Sequence, residues 1–354
     1  MRLLVTGATG FIGGHLVRHL VSQGHHVRAL ARPVSKSADL VDAGVEVVMA
    51  DITEPDSVRV AMEDVEIVYH LAAVRQSWGA PESIYLKVNV EGTHNLLQAA
   101  AEVGVQRFIH CSSVGVARHR GNLQADEVLP FSEPTSQVLY HRSKAQAEKL
   151  VLDSAERGRV PAMIVRPVIT YGPEDESGMV TRLAMLLARG WFLPIGNGLN
   201  HIDLVYIDDL IAGMHLALER GAVGRVYILS GMAPIQTRTL IDTVCGFLGR
   251  RSPRIYVPIP LARVAGWGME ALWKAGTWMG ANLNGREPLV TRDKVATLTI
   301  DRGFSHARAS RELGYQPMVE LEVGLRCTLD WLRETNFLPS VSSVSIGNDP
   351  RRKV

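Results

Sequence analysis

The sequence predicts an α/β fold of the Rossmann type, a doubly wound parallel sheet with helices on both faces and a smaller C-terminal substrate lobe. Three observations predict it. Short β-rich runs at 3–6, 26–30, 45–49, 67–71 and 107–112 alternate with helical segments, and runs at 163–165 and 226–229 continue the pattern. The first run leads at once into three glycines, Gly7, Gly10 and Gly13. Residues 93–103 carry Leu96, Leu97, Ala100 and Val103 on one stripe, as a crossover helix between the fourth and fifth strands requires. Parallel strands joined by such crossovers build a sheet covered on both faces.

The first 180 residues therefore read as a dinucleotide-binding domain, with further sheet elements from about 200 to 232. From about Thr181 the composition shifts toward Trp, Pro, Met and Gly, and helical patterns follow around 260–279 and 321–334, so 181–338 reads mainly as a substrate-binding lobe. Residues 339–354 carry four serines and then Asp349-Pro350-Arg351-Arg352-Lys353 without apolar periodicity, the composition of a disordered tail.

Of the 354 residues 46% are hydrophobic and 21% charged, enough for both a core and a soluble surface. Lys plus Arg number 38 against 36 for Asp plus Glu, a balance of +2 that carries no global field for nucleic acid or an anionic membrane, so that any charged partner must be recognised locally. The expected partner is an apolar small molecule. Cys111, Cys245 and Cys327 are far apart and form no CxxC pair, which argues against a disulfide framework or a metal site and for a reducing cytoplasm. The apolar run before Gly7 is too short for a signal peptide. The longest apolar stretch, 258–283, is interrupted by Arg263, Glu270 and Lys274, the pattern of an amphipathic or substrate-covering helix and not of a membrane span. Nothing in it supports peripheral membrane contact, and nothing forbids it.

The strand, glycine triplet and helix in Leu3-Leu4-Val5-Thr6-Gly7-Ala8-Thr9-Gly10-Phe11-Ile12-Gly13 have the order that a dinucleotide turn needs. Gly7 allows the tight turn, Gly10 lets the backbone approach a pyrophosphate, and Gly13 lets the helix pack on the strand. The N–H groups of the helix start face the anion. Where the second strand ends, an NAD-preferring protein usually carries an acid, and here Ala31 is followed by Arg32, whose guanidinium suits a 2′-phosphate and so favours NADP, with NAD as the alternative. Asp51 and Ile52 after the third strand suit an adenine. The small residues of His70-Leu71-Ala72-Ala73 permit close approach of the backbone.

Tyr140 and Lys144 stand at i and i+4 at the start of a helical pattern, on one face. A phenol has an ordinary pKa of about 10, and a fixed cation beside it is expected to lower that toward working pH. Tyr140 would then exchange a proton with a hydroxyl or carbonyl oxygen. The fifth strand ends in Ser112-Ser113, hydroxyls at the edge of the sheet where open α/β folds bind ligands.

With these motifs, and with Asn89-Val90-Glu91-Gly92-Thr93, Arg166-Pro167, Tyr171-Gly172-Pro173 and Val205-Tyr206-Ile207-Asp208-Asp209, residues 1–335 resemble the extended short-chain dehydrogenase/reductase superfamily. The resemblance implies Tyr140 as general acid/base, Lys144 as its activator and ribose ligand, and Ser113, preferred over Ser112, as the hydroxyl that orients the reacting oxygen. By the same resemblance Pro167 and Val168 flank the nicotinamide, Asn89 and Ser112 join the cofactor site, and a homodimer is the expected assembly. Sugar-nucleotide epimerases usually carry an Arg where Ile202 precedes Asp203, and an Ile cannot compensate a phosphate unless Arg263 or Arg286 substitutes. The stretch 267–278 with Gly285-Arg286-Glu287-Pro288 and Leu313-Gly314-Tyr315-Gln316-Pro317 looks like the 3β-hydroxysteroid dehydrogenase branch, while the dihydroflavonol-reductase-like branch shares the Arg after the second strand. A Trp and Met stripe such as 267–278 is more often core than ligand wall. In place of the superfamily's Val-Tyr-Gly after the serines stands Val116-Ala117-Arg118. The expectation is an oxidoreductase for a secondary alcohol and ketone pair on an apolar substrate. Its rivals are a sugar-nucleotide epimerase or dehydratase with recycled NAD, and a non-catalytic dinucleotide sensor.

Overall fold

Seven short runs pair side by side into one parallel sheet, the inner strands buried on both faces and the edge strand at Glu46–Met49 only partly covered. The computed structural model describes residues 1–33, 38–75, 80–117, 121, 123–129, 131, 139–278, 288 and 290–338. Arg118, Gly285, Arg286, Glu287 and the expected tail fall outside them. The strands are β1 (Arg2–Thr6), β2 (His26–Ala31), β3 (Glu46–Met49), β4 (Ile67–His70), β5 (Arg107–Cys111), β6 (Ala162–Pro167), β7 (Ile169–Tyr171), β8 (His201–Ile202), β9 (Leu204–Tyr206), β10 (Val226–Leu229) and β11 (Ile235–Gln236). The helices are α1 (Phe11–Ser22), α2 (Ala38–Asp42), α3 (Pro55–Met62), α4 (Glu82–Tyr85), α5 (Gly92–Val103), α6 (Leu139–Glu156), α7 (Met179–Arg189), α8 (Ile207–Arg220), α9 (Thr237–Phe247), α10 (Ile259–Trp278), α11 (Arg292–Thr299), α12 (Ala307–Leu313) and α13 (Leu321–Glu334).

The sheet order is β3-β2-β1-β4-β5-β6-β10, with every neighbouring pair parallel. Strand order reverses between β1 and β4, and in open sheets the crevice at the carboxyl ends of such a pair is where ligands bind. Alternation along each strand divides the core. Leu3, Val5, Tyr69, Ile109 and Met163 join one apolar cluster, and Leu4, Val68, Phe108 and Ile164 join the other. The crossover helix expected at 93–103 is α5, closed by Gly104 in the left-handed conformation at φ 70°. It is entered through a π-helical turn at Leu86–Glu91, a local widening that periodicity does not announce.

Helix α10 is one-sided, as its pattern predicts, but the place of Trp267 departs from the core preference given to its stripe. Trp267 does not lie in the core but is 62% exposed, because α10 rests mainly on α11 and turns its other side outward. Glu270 ties the two helices, accepting from the Arg292 backbone N–H at 2.7 Å and from Arg292 Nε at 2.9 Å. Among the described residues no helix is long and apolar enough to cross a membrane.

Candidate active site

The turn from β1 into α1 has the geometry its glycines predict. Gly7 has φ 73°, and a Cβ there would stand 2.8 Å from the Ala72 nitrogen, so only glycine lets β1 and the end of β4 approach. A Cβ on Gly13 would overlap the Gly7 carbonyl oxygen, whereas one on Gly10 would meet only that oxygen, at 3.3 Å. Thr9 and Gly10 are exposed, Phe11 and Ile12 half-buried. No side chain caps α1, its first turn holds no acid, and the bond from Gly14 N–H to the Gly10 carbonyl at 2.8 Å leaves the N–H groups before it without an intrahelical partner. An uncapped helix start above an open glycine fits a dinucleotide pyrophosphate.

Helix α6 packs on the turn Leu86–Glu91 and on the short turn after β5, and carries Tyr140 in its first turn and Lys144 in its second. Lys144 is buried, and its ammonium donates to the Cys111 carbonyl at 2.6 Å, which fixes it against the carboxyl end of β5. Burial lowers its pKa, with Cys111 and Glu148 opposing. The expectation that Lys144 depresses the Tyr140 phenol is corrected here. Burial pushes that phenol up to about 12, the Cys111 thiol adds to the rise, and the opposing cation is Arg75. Desolvation of a phenolate outweighs the cations near it.

Ser112 and Ser113 differ in the work they do. Ser113 caps the short turn Val114–Val116, its Oγ accepting from the Gly115 N–H at 3.2 Å. Ser112 is buried with Oγ unpartnered among the described residues. An orphaned hydroxyl at the carboxyl end of β5 is a second place where the residues present fit a polar ligand such as the cofactor.

A buried chain of hydrogen bonds that sequence reasoning missed joins the glycine turn to α6. Ala72 N–H donates to Thr6 Oγ1 at 3.1 Å, Thr6 Oγ1 meets His70 Nδ1 at 2.8 Å, and His70 Nε2 meets Thr93 Oγ1 at 2.9 Å. The Thr93 hydroxyl donates to the Asn89 carbonyl at 2.7 Å. Asn89 Oδ1 accepts from Val74 N–H at 2.7 Å, and its amide donates to the Val74 carbonyl and to Ser143 Oγ at 3.1 and 2.9 Å. The Ser143 hydroxyl donates to the Tyr140 carbonyl at 2.9 Å. Asn89 is thus committed within the chain and holds residues 72–75 beside the cofactor turn. The one signal for this chain lies in the topology: Thr6 and His70 are register partners at the ends of β1 and β4.

The remaining positions surround the same edge. Arg32 is exposed just past β2, with no ion-pair partner among the described residues. Asp51 accepts from Thr53 N–H at 2.9 Å. Ile52 is buried, and a Cβ on Gly92 would stand 2.7 Å from its Cδ1, so its side chain belongs to the packing against α5. Leu71, Ala72 and Ala73 continue β4, the Leu71 N–H donating to the Thr6 carbonyl at 3.1 Å. Pro167 and Val168 are buried at the end of β6. Beneath α6, Arg166 and Glu148 form a bidentate pair at 2.8 and 2.7 Å. Asp203 and Asp209 have structural duties. Asp203 accepts from Phe304 N–H at 2.9 Å, with burial raising its carboxyl to about 7, and Asp209 accepts from the Met318 and Val319 N–H groups at 2.9 and 3.1 Å.

A doubly wound sheet with an uncapped glycine turn at its switch point defines a Rossmann-type dinucleotide-binding protein. More particularly, the chain belongs to the NAD-dependent epimerase/dehydratase family, whose model matches residues 3–230, and so to the extended short-chain dehydrogenase/reductase superfamily. This is an enzyme family of NAD-dependent dehydrogenases, reductases and epimerases. The chain is 34% identical to a 2-alkyl-3-oxoalkanoate reductase of Stenotrophomonas maltophilia, over 92% of this chain and 98% of that one. It is 31% identical to a 3-beta-hydroxysteroid dehydrogenase of Mycolicibacterium neoaurum, over 91% and 88%. The crystal structure of gox2253 is similar at a TM-score of 0.80 and 33% identity, over 95% of this chain and 99% of that one.

Proposed function

We propose that the protein is an NADP-preferring oxidoreductase that interconverts a secondary alcohol and a ketone on an apolar substrate of steroid-like, flavonoid-like or alkyl-ketone character. The observation that carries this reading is the placement of Tyr140 and Lys144 one turn apart on α6, beside Ser112 and Ser113 at the carboxyl edge of the sheet. The dinucleotide, when bound at the glycine turn, supplies the carbon that gives or takes a hydride. Tyr140 gives its phenolic proton to the carbonyl oxygen in reduction and takes one from the hydroxyl in oxidation. A phenol held protonated by burial suits the first role. Lys144 holds the ribose and keeps a positive charge under the site, while the Ser113 hydroxyl orients the reacting oxygen. Arg32 grips the 2′-phosphate. The reductase and hydroxysteroid dehydrogenase relatives support an oxidoreductase, and Ile202 before Asp203 removes the phosphate-binding Arg that an epimerase would use.

Paired titrations with NADPH and NADH, followed by a turnover screen of 3β-hydroxysteroids, flavonoids, 2-alkyl-3-oxoalkanoates and UDP-sugars, test the reading. We expect NADPH to bind at least about tenfold tighter, roughly the 1.4 kcal/mol of one good charge-assisted contact, and to be consumed with an apolar ketone. Equal affinities would remove the role given to Arg32. Stabilisation by UDP together with turnover of a nucleotide sugar, without net use of the cofactor, would assign the epimerase reading instead.

A further inference from the structure

Nothing in the proposed chemistry uses α10, yet among the described residues it is the longest helix and a strongly apolar one. Ala262, Gly266 and Glu270, four residues apart, form its buried face. Gly266 comes so near α11 that a Cβ would stand 3.0 Å from the Arg292 nitrogen. At about 100° per residue the opposite half carries Leu261, Val264, Trp267 and Leu272, with small residues between them. These four are 60, 66, 62 and 76% exposed, and Ile255 just before the helix is 74% exposed. An apolar stripe of this extent is rare on a surface that faces only water.

The charges on the stretch of chain that leads into the helix and on the helix itself say what covers the stripe. From Leu248 to Trp278 the chain holds Arg250, Arg251, Arg254, Arg263 and Lys274 against one acid, Glu270, which is buried and bound to Arg292. The four arginines are exposed and have no ion-pair partner among the described residues. Arg263 and Lys274 fall, by position on the helix, at one margin of the apolar half.

We propose that α10 docks flat on an anionic membrane surface, Leu261, Val264, Trp267 and Leu272 entering the headgroup boundary while Arg250, Arg251, Arg254 and Arg263 meet lipid phosphates. A helix with one apolar face, a basic margin and an indole on that face lies in the plane of the interface. Lipid supplies both the unstructured apolar medium and the uniform negative charge that this surface lacks. The inference stands on α10 alone and does not depend on the role given to Tyr140.

Co-sedimentation of the full chain with phosphatidylcholine vesicles, with and without about one-third phosphatidylglycerol, tests it. Each arginine near an anionic surface contributes about fivefold in partitioning. We therefore expect binding to rise steeply with phosphatidylglycerol, to fall with salt, and to drop about 25-fold in Arg250→Gln/Arg251→Gln. The double variant Leu261→Asp/Val264→Asp should lose vesicle binding with an unchanged melting temperature, because both side chains are exposed. Tyr140→Phe should bind vesicles like the parent chain. Absence of binding to anionic vesicles, or equal binding by the aspartate variant, would overturn the proposal. A dimer that the same variant converts to monomer, without any vesicle effect, would assign the face to a second copy of the chain and overturn it equally.

Discussion

Thr6 and His70 end two adjacent strands, and their side chains meet at 2.8 Å with no solvent access to either. The bonds around them fix the imidazole tautomer. Thr93 gives its proton to the Asn89 carbonyl, so it accepts from His70 Nε2–H, and His70 Nδ1 is then left to accept from the Thr6 hydroxyl. A second proton on the ring would break this order. Burial first, and Lys144 second, lower the His70 pKa to about 3. The unfolded imidazole takes a proton near pH 6.5, which the folded one refuses until about 3. This part of the stability is therefore complete above about pH 6.5 and is lost as pH falls below it. His70→Gln should cost about 1–3 kcal/mol at pH 7 by loosening buried hydrogen bonds. It should also flatten the fall in stability between pH 6 and 5 by roughly 1 kcal/mol per pH unit, read from urea unfolding at each pH. An unchanged slope would remove His70 from the acid response.

Replacing Tyr140 by Phe should lower kcat about 10²–10⁴-fold while leaving dinucleotide affinity within about threefold, because only the proton-carrying oxygen is lost. With the phenol pushed up to about 12, ketone reduction should be flat across neutral pH, where the proton is always present. Alcohol oxidation, which needs the phenolate, should rise with pH over the same range. Initial rates in both directions from pH 6 to 9.5 check both statements. A reduction rate that falls with an apparent pKa near 7 would give the proton to another group.

Lys144→Met tests the cation separately. It removes the donor to the Cys111 carbonyl and the charge beneath the site, so both dinucleotide affinity and kcat should fall, unlike the single effect of Tyr140→Phe. We expect a loss of about 10²-fold or more in kcat/KM. Isothermal titration with the dinucleotide and steady-state kinetics separate the two terms.

What the sequence made legible was local. Alternating runs, the glycine triplet and the Tyr-Lys spacing each lie within a dozen residues, and periodicity reads at that range. The direction of the Tyr140 shift was not legible, because it depends on how deeply α6 is buried and on which way Lys144 turns, toward Cys111, 33 residues earlier. The link from His70 through Thr93 and Asn89 to Ser143 spans separations of 23 and 54 residues, and no pattern in the chain marks it. The one-sidedness of α10 was legible, but not that Trp267 stands on its outer side, since composition does not say which neighbour an apolar helix finds.

The Arg166–Glu148 pair was equally invisible, its partners 18 residues apart on β6 and α6 and both buried. Glu148→Ala leaves a guanidinium uncompensated beneath the helix that bears Tyr140 and Lys144, and a buried pair broken on one side costs about 3–5 kcal/mol. The exposed pair Arg59–Asp56 offers a control: Asp56→Ala should change stability by less than about 0.5 kcal/mol. Chemical denaturation of the two variants under one condition should separate them clearly. Similar small costs would mean that the pair is hydrated in solution.

The glycines separate folding from binding. Gly13 faces the Gly7 carbonyl and Gly7 faces Ala72, so an added methyl at either position must move backbone. Gly10 is exposed, has no positive φ, and meets only one oxygen, at 3.3 Å. Gly10→Ala should therefore fold with a melting temperature within a few degrees of the parent, the shift expected for about 1 kcal/mol or less. Its methyl would stand where the pyrophosphate must approach the backbone, and dinucleotide affinity should fall at least about tenfold. Gly13→Ala should lose stability first, with weaker binding only as a consequence. Parallel melting curves and NADPH titrations of the two variants distinguish these outcomes, and a Gly10→Ala protein that binds NADPH as the parent does would move the pyrophosphate away from this turn.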